Sequence, residues 1–167
     1  MRRGVTFLVC LLWLGGSALG QSGATGGPRE QCQRLKNSMS TASQLRLGSA
    51  QEKFTSLLVR DRREKMRDIR GLAENTARQF FPTAQGGQVQ ALAALLLVDW
   101  AGRQQFDLMN LKQAAHPGRW SGKDETEIEI ARLRYEELRG QVELTLQEAD
   151  RLLREQGEGL STVLKNF

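Results

Sequence analysis

The chain has 167 residues, with 24 basic against 19 acidic residues, a formal charge of +5, one histidine and two cysteines. That length suits one domain with its own core. A single histidine and so small a positive excess argue against a zinc centre and against nucleic-acid recognition, which both need clustered groups of one kind.

Residues 1–20, MRRGVTFLVCLLWLGGSALG, have a basic start at Arg2 and Arg3, an apolar centre from Val5 to Leu14 and a small-residue end. Ala18 and Gly20 occupy the −3 and −1 places of a signal-peptidase site. The pattern predicts a signal peptide cleaved before Gln21 and export of the remainder to the periplasm or the medium. The apolar centre is well short of the ~20 residues of a membrane-spanning helix. Removing Arg2 and Arg3 lowers the charge to +3, and Cys32 becomes the sole cysteine. An intramolecular disulfide is then excluded, which makes Cys32 a candidate intermolecular thiol. Arginine outnumbers lysine 18 to 6, a bias of GC-rich bacterial coding.

Residues 21–28, QSGATGGP, read as a flexible leader, and 29–167 as a single helical domain. Between Arg29 and Leu47 the apolar residues are sparse, which predicts only a short N-terminal helix. From 49 to 81 the pattern is helical. Ser49 and Glu52 have capping-box spacing, and Phe54, Leu58, Met66, Ile69, Ala73, Thr76 and Phe80 recur at helical steps. Asp61 with Lys65, Arg70 with Glu74 and Glu74 with Arg78 are spaced for ion pairs. Pro82, Gly86 and Gly87 end the segment.

The next segment, 88–115, contains the apolar run from Ala91 to Val98. Alanine and leucine favour helix over strand. The run is eight residues long, bounded by glutamines and glycines on one side and by Asp99 and Arg103 on the other, so it predicts a buried core helix and not a membrane span. Phe106, Met109 and Leu111 continue a narrower apolar face. The third segment, 122–156, is capped by Asp124 or Ser121. Ile128, Ala131, Tyr135, Leu138, Val142, Thr145, Ala149 and Leu152 alternate three- and four-residue steps, a heptad seam. Leu133, Leu144, Leu146 and Leu153 widen its apolar stripe, which predicts contact with two neighbours. Residues 160–167 form a short amphipathic C-terminal tail.

The predicted fold is therefore all-α: an antiparallel bundle of three long helices (49–81, 88–115, 122–156) with a short N-terminal helix and a short tail. Residues 53–78 carry a charge of +4 and residues 124–158 carry −6, so the first and third helices can neutralise each other across the apolar second.

Chemistry is sparse. Asp124, Glu125, Glu127 and Glu129 suit the dipole at a helix start better than a cation site. No nucleophile elbow, phosphate loop or dinucleotide fingerprint occurs. No catalytic, metal or cofactor residue is assigned. The expected function is that of a non-enzymatic exported protein that binds another protein, as a small envelope chaperone or a component of an envelope or secretion complex. Candidate contacts are Trp120 and Arg119 in the turn after 115, and the basic stripe Arg60, Arg62, Arg63, Arg67 and Arg70. The heptad seam 128–152 is a candidate homodimer surface. The alternative is peripheral binding to a membrane surface through the basic helix 53–78 or the tail.

Overall fold

The fold is that of a computed structural model, which describes residues 26–117, 122 and 124–155. The signal-peptide region, most of the leader, Arg119, Trp120 and Ser121 in the turn, and the tail lie outside them. The described residues are all-helical, with no strand. Helix α1 is Pro28–Ser38, α2 Thr41–Val59, α3 Arg62–Lys65, α4 Ile69–Phe80, α5 Gly87–Ala115 and α6 Glu125–Glu155, with a 3₁₀ turn, Met66–Asp68, between α3 and α4.

Two of the three expected long helices occur as α5 and α6. Gln90 near the start of α5 donates to Glu155 at the end of α6 at 3.5 Å, so the two run antiparallel. The Asp124 carbonyl accepts from the Ile128 N–H at 3.2 Å as α6 begins. The apolar run behaves as a core element: Ala91 to Leu97 are all buried and Val98 half-buried. In α6 the seam residues Ala131, Leu138, Val142, Thr145, Ala149 and Leu152 are buried, with Ile128 and Tyr135 half-buried. The seam is thus already covered within one chain, chiefly by α5.

The expected helix over 49–81 is not one helix. It starts earlier, at Thr41, capped by the Ser40 hydroxyl, which accepts from the Ser43 N–H at 3.2 Å. Ser49 lies inside α2, so its capping box with Glu52 is not formed. The chain then breaks at Arg60 and Asp61, where Asp61 adopts φ 60°, in the left-handed region that costs a non-glycine residue energy. α2 turns back so that Leu47, Ala50, Phe54 and Leu58, all fully buried, join a core shared with α4 and α5. Burying Leu47, Phe54 and Leu58 outweighs the loss of one turn of helix and the strain at Asp61, at roughly 1.5–3 kcal/mol for each large apolar side chain. The chain re-enters α4 through the Asp68 carboxylate, which caps it by accepting from the Gly71 N–H at 3.0 Å. A Cβ on Gly71 would collide with that carboxylate and push it off the cap.

Of the expected local ion pairs, Arg70–Glu74 and Arg78–Glu74 form, and Arg103 pairs with Asp99 past the apolar run. Lys65 does not pair with Asp61. Its ammonium instead donates to the Leu57 carbonyl at 2.9 Å, which ties α3 to the end of α2.

Candidate interaction site

The basic stripe is consumed unevenly. Arg63 donates through Nε and Nη2 to both carboxylate oxygens of Glu137, at 2.7 and 3.1 Å. Arg70, half-buried, grips Glu155 with two donors at 3.1 and 3.0 Å and Glu74 with a third at 3.0 Å. These hydrogen bonds hold the Glu137 and Glu155 carboxyls below the usual carboxylate range and push both guanidinium pKa values further up. The Arg62 guanidinium sits 6.0 Å from the centroid of the Trp100 ring, a cation–π distance. Arg60 and Arg67 are exposed and form no ion pair among the described residues.

The order of the clamps fixes the direction of this segment. Arg63 meets Glu137 and Arg70 meets Glu155, so residues 61–70 track parallel to α6. The start of α3 stands against the middle of the α5–α6 hairpin, and a cavity of about 770 Å³ opens where the three meet. Asp61 to Glu64 form one wall, Asp107, Asn110 and Leu111 of α5 the second, and Arg134, Glu137, Leu138 and Gln141 of α6 the third. The Gln141 side-chain oxygen is buried and has no hydrogen-bond partner among the described residues. Gln104, 7 % exposed, has the same deficit. With Gln90 opposite Glu155, the hairpin register sets Gln104 opposite Gln141, so the two acceptors share one layer of the hairpin.

Beyond this layer the hairpin is thinly covered. From Phe106 to Ala115 only Ala115 is buried, and from Glu125 to Glu137 only Ala131. Phe106 and Met109, expected on a continuing core face, are 65 % and 52 % exposed. Leu133, expected against a second neighbour, is 61 % exposed, and Ile130 is exposed beside it. A second neighbour is missing there because the break at Asp61 takes α2 away from this end of α6. The sequence pattern alone did not single out Gln141, Asp107 or this apolar rim. The signal available was the surplus of leucines outside the heptad seam.

Cys32 is placed on the inner face of α1, 4 % exposed, and burial pushes its thiol up to about 12. In this packing its sulfur is out of reach of a second chain. Trp120 and Arg119 lie outside the described residues. Among the described residues no group of three or more histidine, cysteine or acidic side chains is placed to hold a metal ion, and no helix is long and apolar enough to cross a membrane.

Comparison of the chain with protein-family models, with curated proteins and with solved structures found no match in any of the three.

Proposed function

We propose that this chain is a non-enzymatic exported protein that works by binding another protein, as a small envelope chaperone or a component of an envelope or secretion complex. The observation that carries the reading is the thinly covered end of the α5–α6 hairpin, where Phe106, Met109, Ile130 and Leu133 are all exposed. Large apolar side chains grouped on one end of a small protein, next to a groove, mark a surface that gains free energy when a partner covers it. Export is proposed from the signal-peptide pattern of residues 1–20. If it is correct, N-terminal sequencing of protein recovered outside the cytoplasm begins at Gln21; recovery only of chains that retain residues 1–20 inside the cell counts against export.

Self-association through the seam 128–152 would require α6 to leave α5, because those side chains are buried within the chain. Any homodimer is therefore better placed on the exposed rim. The membrane alternative keeps Arg60, Arg62 and Arg67 as the members of the stripe without an ion pair among the described residues, of which Arg60 and Arg67 are exposed, since Arg63 and Arg70 are held by Glu137 and Glu155. Two exposed guanidinium groups attract anionic head groups weakly, at about 1 kcal/mol each near the surface.

A photo-reactive residue placed at each of several exposed positions, in the cells that make the protein, tests the main reading. Covalent adducts with another protein are the expected result. Adducts with lipid alone, or none from any position, would overturn it.

A further inference from the structure

We infer that the groove between α3 and the α5–α6 hairpin is a docking site for a cationic amphipathic helix of a partner protein, which rests on the protein-binding reading above. Three independent features of the groove specify that occupant.

The first is its electrostatic imbalance. Asp61, Glu64 and Asp107 line it, are exposed, and pair with no cation among the described residues. On the basic side, Arg63 is held by Glu137, which leaves Arg62, over the Trp100 ring, and Arg134 against these three carboxylates. The Gln141 carbonyl adds a buried acceptor without a donor. An acceptor-rich site is completed by a ligand rich in donors, and a guanidinium or ammonium group supplies several at once.

The second is the apolar wall. Leu111 and Leu138 line the cavity, and Ile130 and Leu133 lie one to two turns farther toward the start of α6, on the side of Glu137 by helical spacing. A ligand that reaches the acceptors and covers these leucines must carry apolar side chains along one edge and cations along the other.

The third is shape. α3 points its N-terminus at the uncovered end of the hairpin, because residues 61–70 run parallel to α6. The vacant place beside α6 is the line a straight continuation of α3 would follow, about 18 Å from Glu137 to Glu125 at helical rise. A helix fills such a place with its own backbone hydrogen bonds satisfied, whereas an extended strand would find no sheet edge to pair with. An anionic lipid surface does not suit it, since it would set negative groups against Asp61, Glu64 and Asp107.

The test uses the full chain and a fluorescently labelled peptide of about 15–20 residues, with leucines at three- and four-residue spacing and lysine or arginine elsewhere. Saturable binding is expected. The Asp107→Arg and Leu133→Ser variants each weaken it by about tenfold or more, while Leu45→Ser, at an exposed position on α2, leaves it unchanged. A peptide with glutamate in place of every cation does not bind. The inference is overturned if the basic peptide fails to bind, if the acidic peptide binds as well, or if all three variants bind alike. It is also overturned if vesicles of phosphatidylcholine with phosphatidylglycerol, and not the peptide, are the ligand that Asp107→Arg and Leu133→Ser affect. Photo-cross-links to another protein from position 45 but not from position 133 leave protein binding standing and remove the groove as its site.

Discussion

The Cys32 thiol shows how one buried group ties the first helix to the rest. It lies with Leu35 on the inner face of α1, within the main core that Met39 joins just past the helix end, and stays protonated up to about pH 12 because its anion would be desolvated. A folded-state value raised above the ordinary 9.0 makes a contribution to stability that is complete below pH 9 and lost as the pH climbs toward 12. The stability of the native protein should therefore fall more steeply across that window than that of Cys32→Ala, as measured by urea unfolding at stepped pH. Parallel curves would show that the thiol titrates freely. Thiol-directed reagents should also react with Cys32 at neutral pH only as fast as α1 detaches. Gln104 offers the opposite sign. Its unpartnered buried oxygen costs free energy, so Gln104→Leu should raise stability by about 1 kcal/mol, read as a higher urea midpoint at unchanged slope. An unchanged or lower midpoint would mean that the oxygen is satisfied in solution.

At the level of elements, what the sequence made legible depended on whether neighbouring helices merely cover an element or redirect it. α5 and α6 were legible because each carries its own stop signals and a periodicity that a neighbour only has to cover: the run Ala91–Val98 and the seam from Ile128 to Leu152. The break at Arg60 and Asp61 was not legible. Phe54, Leu58, Met66 and Ile69 keep helical spacing across it, and no proline or glycine marks it. The turn is imposed by tertiary packing, which buries the α2 leucines and Phe54 against the α5 run at the cost of a left-handed aspartate. For the same reason the expected cap at Ser49 failed: α2 extends back to Ser40, through a polar stretch with little intrinsic helix preference. The candidate site was only partly legible. Arg62 and Arg63 were among the expected contacts and do line the groove, whereas Asp107, Leu138 and Gln141 come to it through the hairpin register. Asp61→Val tests the hinge, since a β-branched residue pays more than aspartate in the left-handed region. It should lose about 1–2 kcal/mol in thermal or chemical unfolding. Unchanged stability would mean that α2 and α3 join differently from the geometry described.

Across the whole molecule, the opposite charges of residues 53–78 and 124–158 act through two clamps rather than through a general attraction. The segment from Asp61 to Arg70 has two buried apolar anchors, Met66 and Ile69, and Arg63–Glu137 and Arg70–Glu155 fix its ends to α6. Because these clamps hold the Glu137 and Glu155 carboxyls below their ordinary 4.5, their contribution is present above that value and is lost as the pH falls below it. Both pairs face water, so their strength is also screened by salt. The wild-type protein should lose stability on acidification from about pH 5 and on raising sodium chloride toward about 1 M. The double variant Arg63→Ala with Arg70→Ala should start lower and respond less to either change. Segment 61–70 should then exchange its amide hydrogens faster while α5 and the α6 seam stay protected, since the hairpin carries its own packing. If the acid and salt responses of the double variant match the wild type, α3 and α4 are held to α6 by Met66 and Ile69 alone. The groove wall at Asp61–Glu64 would then be fixed by packing rather than by charge.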